Sequence, residues 1–327
     1  MPYISRVMTQ GQLFPKKLVL AGGSGSIGQA LIASLPADKW EIVVLTRSPE
    51  VRGDGVREVA WDGRTQGEWA AELDGAAAVV NLAGKNIDCR PTKANREGVL
   101  RSRVDSTRAI GEAIQKAEMP PAVWVNASAM AYYGDVGARE CLENSPPGRG
   151  FLAEVCQAWE AAQTNMETPQ TRQVRLRISV VLDRHSGALP KLKQLAHFAL
   201  GGTVGSGKQV VSWIHMQDMI DAVRFAIEAP DAEGPYNCVA PGAVSNKAFQ
   251  RTLRLVLGEW VGLWAPAFAV KLGAWLMGSN GELALMGARL VPKRLQKAGF
   301  EFLYPELEGA LRDLLDKPSK HSAADAA

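Results

Sequence analysis

Leu18-Val19-Leu20-Ala21-Gly22-Gly23-Ser24-Gly25-Ser26-Ile27-Gly28 is the stretch on which the fold turns. Four apolar residues run straight into glycine, and Gly22, Gly25 and Gly28 follow in a G-x-x-G-x-x-G spacing. The residues after them, Ser26–Leu35, carry helical spacing. A strand, a tight glycine turn and a helix in that order make a phosphate cradle. Glycine lets the backbone approach a pyrophosphate closely, and the first turn of the helix offers free N–H groups and a partial positive charge. Gly22, Ser24, Gly25, Ser26, Ile27 and Gly28 are therefore expected to hold a dinucleotide.

Working outward, short apolar runs recur at Glu41–Leu45, Val56–Ala60, Ala76–Leu82, Val123–Ala127 and Val174–Val181. Helical stretches separate them, notably Thr92–Lys116 and Phe151–Met166. Apolar runs alternating with helices predict an α/β fold, a doubly wound parallel sheet covered on both faces. Beyond residue 182 the rhythm loosens. Gln217–Glu228 and Asn246–Leu257 read as helices and Pro235–Val239 as a strand, and 258–316 is mostly helical. The expected organisation is a dinucleotide-binding domain over 16–182 and a smaller, discontinuous C-terminal lobe over 183–316. Some segments of that lobe are expected to return to the first domain.

The second strand bears on cofactor choice. It ends Leu45-Thr46-Arg47-Ser48, without the acid that would accept from a ribose 2′-OH. Arg47 can instead pair with a 2′-phosphate, so NADP(H) is expected, with Thr46 and Arg47 in contact with it. Asp62, after the third strand, is a candidate acceptor for the adenine amino group. Leu82-Ala83-Gly84, after the fourth, is small enough for backbone to lie against the ribose.

The chain has 327 residues, a length that predicts about two domains at roughly 150 residues each. Hydrophobic residues make up 46% and charged residues 22%, which excludes a disordered, collagenous or coiled-coil chain. Thirty-seven Lys+Arg against 34 Asp+Glu leave a net charge of +3, too small to argue for nucleic acid or an anionic membrane. Cys89, Cys141, Cys156 and Cys238 are dispersed and form no CxxC, so reduced thiols in a cytoplasmic protein and no metal site are expected. The first 15 residues show no basic segment leading into an apolar one and read as a disordered extension; 317–327 read as a frayed tail. Val261–Met277 is the most apolar stretch. Pro266 and Lys271 interrupt it, so a buried amphipathic helix is expected rather than a membrane span.

Taken together these residues resemble the extended short-chain dehydrogenase/reductases, and later motifs narrow the resemblance. NLAG at 81–84, Ser102-Arg103, AYYGD at 131–135, FLAEVCQAWE at 151–160 and RISVVL at 177–182 are similar to one atypical branch. So are GSGKQVVSWIHMQD at 205–218, PYNCVAP at 235–241 and LVPKRLQKAGFEFLYPELEGAL at 290–311. The branch is that of the "epimerase family" proteins, which carry their own C-terminal domain. The resemblance spans 16–315. It implies a Rossmann-type fold, NADP(H) binding, an unspecified small-molecule substrate, a cofactor-phosphate contact for Arg103 and a cofactor contact for Val181. The segment Cys89-Arg90-Pro91-Thr92 departs from the branch, which more often has tryptophan at the proline position.

The same resemblance sharpens a chemical question. The superfamily moves a proton with a tyrosine whose pKa is lowered by a lysine four residues on, while a serine polarises the substrate oxygen. Phe151–Met166 contains neither tyrosine nor lysine. Aligned on Glu160, the tyrosine position is Leu152 and the lysine position Cys156; the serine position is Ala129, with Ser128 one residue early. Ser128 and Tyr133 are the remaining hydroxyls on the serine loop and are the expected catalytic residues if turnover exists, with Glu160 as the next base. His215 reads as a buried, hydrogen-bonded side chain. Nucleotide-sugar epimerases present a diphosphate-binding arginine four residues before that histidine, and this chain has Val211 there. Two functions stand: an oxidoreductase or epimerase without the usual triad, and a non-catalytic NADP(H)-binding regulatory module linked to division or redox sensing.

Overall fold

A computed structural model describes residues 15–316; the extension expected over 1–15, except for Pro15, and the tail over 317–327 lie outside the described residues. Seven strands form the main sheet: β1 (Lys16–Ala21), β2 (Trp40–Thr46), β3 (Arg57–Ala60), β4 (Ala78–Asn81), β5 (Val123–Ala129), β6 (Arg172–Ile178) and β7 (Gly234–Cys238). Their order is β3-β2-β1-β4-β5-β6-β7, and every pairing is parallel. The chain winds outward from β1 in one direction, then restarts at β4 in the other, so the crevice between β1 and β4 opens at their carboxyl ends.

The register shows why these segments are strands. Leu18 lies opposite Ala78 and Ile42, and Leu20 opposite Val80 and Val44. All six are buried, as expected of strands packed on both faces. One face is covered by α1 (Ser26–Ser34), which packs Leu31 and Ile32 onto the sheet. The other is covered by α2 (Lys93–Lys116), whose Ile110 and Ile114 pack beside Trp69 and Trp124. The next helix, α3 (Phe151–Thr164), lies against α2. The following helices are α4 (Leu189–His197), α5 (Met216–Glu228), α6 (Asn246–Leu257), α7 (Ala267–Leu276), α8 (Lys293–Lys297) and α9 (Leu307–Leu315).

Two expectations about 174–277 change. The strand expected over Val174–Val181 is interrupted at Ser179, whose Oγ donates to the Cys238 carbonyl at 2.8 Å. Beyond that break Val180–Leu182 leaves the main sheet and pairs with Trp213–His215. This turn carries the chain into the C-terminal lobe, whose core gathers Leu182, Trp213, Phe249 and Leu253 under α9. The second change concerns Val261–Met277. It is not a buried helix: α7 buries only Ala274, and Phe268, Leu272 and Leu276 are exposed. Its apolar residues surround the helix instead of forming one stripe, so a single contact face leaves most of them in solvent.

Candidate active site

The glycine loop sits where its chemistry needs it. Gly22 has φ +79, and a Cβ there would stand 2.8 Å from the Leu82 carbonyl carbon. A Cβ on Gly28 would stand 2.7 Å from the Gly23 Cα. The first glycine brings the β1 and β4 loops together; the last lets α1 dock on the turn. Ser24, Gly25 and Ser26 are exposed, while Ile27 packs on the core beneath them. No side chain caps α1 and no acid lies in its first turn, so its N–H groups face the crevice uncompensated.

Across the crevice Leu82 and Ala83 pack on opposite core faces. Asn81 fixes their path. Its Oδ1 accepts from the Ala83 N–H at 3.1 Å, and its Nδ2 donates to Asn126 Oδ1 at 2.8 Å. Thr107 Oγ1 donates to the same Asn126 oxygen (3.2 Å) and accepts from Trp159 Nε1 (3.0 Å). This buried amide–hydroxyl chain escapes sequence reading. Its residues are ordinary, and only the strand-end Asn81 of NLAG signals it.

Two cations complete the edge. Arg47 follows β2, is exposed, and among the described residues has neither an ion pair nor a side-chain hydrogen bond. Thr46 Oγ1 accepts from the Ser48 N–H at 3.5 Å. Arg103 lies against Gly84, where a Cβ would come within 3.1 Å of its guanidinium carbon. It donates to the Lys85 and Val99 carbonyls (both 3.0 Å) and stands over the Trp159 ring, 5.0 Å from its centroid. Arg103 makes no ion pair among the described residues, and burial pushes its pKa below the ordinary value. A half-buried guanidinium without a carboxylate calls for an anion.

Asp62 is a correction. Its carboxylate is spent inside its own loop, accepting from the N–H groups of Thr65 (2.8 Å) and Arg64 (2.9 Å) and from the Thr65 hydroxyl (2.9 Å). Those bonds, the Thr65 N–H first, hold it near pKa 2. The side chain shapes the turn after β3, and these bonds compete with the adenine contact expected of it. Val181 is half-buried on the core, in the segment that pairs with Trp213–His215.

The expected catalytic hydroxyls meet a different fate. Ser128 Oγ donates to Glu160 Oε1 at 2.6 Å. Arg177 grips the same carboxylate with two parallel bonds, Nε to Oε1 and Nη2 to Oε2, each 2.8 Å. Arg177 Nη1 then donates to the Tyr133 hydroxyl (2.8 Å) and the Glu143 carbonyl (2.9 Å). Tyr133 donates to Asn237 Oδ1 (2.7 Å), whose Nδ2 donates to the Cys141 and Val291 carbonyls. Tyr132 stacks on the Arg177 guanidinium at 3.5 Å. Tyr133 is wholly buried and Ser128 nearly so. Burial pushes Tyr133 up to about 12.

A catalytic hydroxyl must reach substrate; in this structure the Ser128 and Tyr133 hydroxyls are buried and engaged with Glu160 and Asn237. Glu160 is likewise neutralised by Arg177. The organiser, Arg177, is absent from the sequence-derived candidates. Its signal was present: a strand covered on both faces reads RQVRLRI, and an arginine that ends up buried there must have a partner. Leu152 and Cys156, the positions aligned with the tyrosine and the lysine, carry neither group. Burial, reinforced by Glu160, pushes the Cys156 thiol up to about 12, so it carries no charge at neutral pH.

Beside Leu152 lies a cavity of about 210 Å³ between the α2 and α3 N-termini and the C-terminal lobe. Val211, at the diphosphate-arginine position, packs on the lobe core. His215 is buried as expected. Its Nδ1 accepts from the Gln217 N–H at the start of α5 (3.0 Å), and its Nε2 meets Asp313 at 3.1 Å.

Comparison with known proteins fits this geometry. The family model described as NAD dependent epimerase/dehydratase family matches residues 18–239, and a domain of unknown function, DUF1731, matches 265–314. An epimerase family protein of Staphylococcus haemolyticus is 33% identical over 92% of this chain and 99% of its own length. The crystal structure of the human epimerase family protein SDR39U1 with NADPH superposes with a TM-score of 0.82 at 33% identity, covering 91% of this chain and 98% of that one. The crystal structure of a nucleoside-diphosphate sugar epimerase from Corynebacterium glutamicum gives a TM-score of 0.73 at 30% identity, covering 91% of this chain and 57% of that longer one.

Proposed function

The chain belongs to the NAD dependent epimerase/dehydratase family, and on that premise we propose that it is an NADP(H)-dependent oxidoreductase or epimerase of a small molecule, working without the serine–tyrosine–lysine set. The observation that carries the cofactor choice is Arg47, an exposed guanidinium with no partner at the end of β2. Its charge would neutralise a 2′-phosphate. The glycine loop and the uncapped α1 would hold the pyrophosphate, and Leu82–Gly84 would lie along the ribose. The human relative, whose structure is described with NADPH, supports the same choice.

Bound there, the nicotinamide supplies or accepts hydride. The chain's own part is positioning. Arg103 holds negative charge beside Gly84, Leu152 keeps an apolar wall next to the cavity, and the lobe shields it from water. Ser128, Tyr133 and Glu160 contribute rigidity and move no proton. A cytoplasmic location belongs to the same proposal; no helix among the described residues is long and apolar enough to cross a membrane.

A second reading is a cofactor-binding module without turnover, and the locked Ser128–Glu160–Arg177–Tyr133 network favours it. The experiment that separates the two follows NADPH absorbance in single turnovers against a panel of aldehydes, ketones and nucleotide sugars. Oxidation by any member supports the enzyme. Tight NADPH binding with no oxidation by any member moves the protein to the second reading.

A further inference from the structure

The cavity beside Leu152 carries more charge than its size requires. Arg90, Arg96 and Arg149 all line it, and none makes an ion pair among the described residues. Two are held flat by aromatic rings. Arg96 lies over Phe151, 5.1 Å from the centroid, and Arg90 over Trp275 at the same distance, with its Nε donating to the Trp275 carbonyl at 3.0 Å. A stacked guanidinium keeps its terminal N–H fork free for a planar anion. The floor is the start of α3. Gly150 gives it no side-chain cap, and Gly150 through Ala153 line the cavity. Arg90, Arg96 and Arg149 outnumber the two carboxylates of the lining, Asp135 and Glu282, and the excess positive charge favours an anion.

Asp135 and Glu282 also line the cavity, with Asp135 Oδ1 accepting from the Gly287 N–H at 3.1 Å and Glu282 without a side-chain partner among the described residues. A lining of both arginines and carboxylates suits a ligand that carries an anionic group together with hydroxyl donors. The lobe is fastened over this hollow. Asp88 accepts from Ser279 and from the Asn280 N–H (3.3 Å) and pairs with Lys191 at 2.5 Å. At about 210 Å³ the space falls below the roughly 300–1,000 Å³ usual for drug-sized ligands, which favours a small ligand.

We propose that this cavity is the substrate site and takes a small polyhydroxylated anion, a carboxylate or a phosphate ester, whose anionic end meets Arg90, Arg96 and Arg149. The proposal rests on the reading of the chain as an NADP(H) protein with a substrate cavity beside Leu152.

The test titrates the full chain, saturated with NADP⁺, with gluconate, sorbitol 6-phosphate and neutral sorbitol, by calorimetry. Either anion is expected to bind about tenfold or more tightly than sorbitol, and Arg96→Gln and Arg149→Gln are each expected to weaken it about tenfold. Both arginines are exposed, so the variants keep the fold, and NADPH affinity should stay within about twofold. Preference for gluconate assigns a carboxylate, preference for the phosphate ester assigns a phosphate, and equal binding assigns the shared anion chemistry. Equal affinity for sorbitol and the anions, no binding of any of the three, or anion binding indifferent to both substitutions overturns the proposal. So does UDP-glucose binding far more tightly than either anion. Failure of the parent chain to bind NADPH in the same experiment would instead strike the underlying cofactor reading.

Discussion

Arg47, after β2, and Arg103, beside Gly84 after β4, stand without carboxylates among the described residues; three strands along from β1, at β6, Arg177 is clamped by one. The two regions use the same side chain for opposite ends. Arg177 meets Glu160 bidentately, and Ser128, Tyr133 and Asn237 extend the network on both sides. A buried pair of this kind is self-sufficient, and removing either partner strands a charge. Arg47 and Arg103 have their counter-charge missing, and a phosphate group would supply it. Ion pairs close a site to ligands, and unpaired cations beside glycine backbone keep one open.

The comparison breaks most visibly at Arg177. Arg177→Met leaves Glu160 buried and uncompensated, at a cost of about 3–5 kcal/mol, and should lower the melting temperature by about 6–15 °C. Calorimetric melting of the single variant and of Arg177→Met with Glu160→Gln checks this. The second change removes the stranded charge and should recover part of the loss. An unchanged melt for the single variant would mean that the network does not support the fold.

A smaller effect is expected on the open side. Arg47→Glu places like charge against a 2′-phosphate, and loss of a charge-assisted contact worth about 1.5–3 kcal/mol weakens NADPH roughly ten- to a hundredfold. NADH, which lacks that phosphate, should bind within about twofold of the parent, and the melting temperature should not move. Parallel titrations with both cofactors decide it; equal losses would remove Arg47 from cofactor choice.

The smallest effect is a pH slope at His215, where the C-terminal helix meets α5. Burial lowers this imidazole from its ordinary 6.5 despite Asp313 and Asp218 nearby. The unfolded chain therefore takes a proton below about pH 6.5 that the folded chain still refuses, and stability falls as pH drops through that window down to the folded value. Melting temperatures from pH 8 to 5 should decline more steeply for the parent than for His215→Asn, which can still cap α5 but does not titrate. Parallel slopes would show that the proton is taken elsewhere.

How legible each region was follows from how local its physics is. The strand–glycine-turn–helix order and the strands were readable because each acts within a few residues. A turn needs glycine, and a strand covered on both faces needs an apolar run. The absence of tyrosine and lysine from Phe151–Met166 was equally readable, since an i, i+4 pair would have to lie on that one helix. Three assignments were not. Asp62 was expected to accept from an adenine, but its own loop closes around it; Tyr133 was expected to be catalytic, but Asn237, 104 residues away in sequence, takes up its hydroxyl; and 261–277 was expected to be a buried helix, but the lobe leaves it uncovered.

By itself, then, the sequence determined the order of the elements, the glycine turn between β1 and α1 and the absence of tyrosine and lysine from 151–166, because these depend on residue type at short fixed spacings. The tertiary structure decided which polar groups are free. Ser128, Glu160, Arg177, Tyr133 and Asn237 come from β5, α3, β6, the turn after β5 and β7. Arg90, Arg96 and Arg149 gather around one cavity from either side of the α2 start and from the α3 entry. Whether a charge is neutralised inside the protein or left for a ligand depends on contacts between segments far apart in the chain, and local pattern holds no record of them.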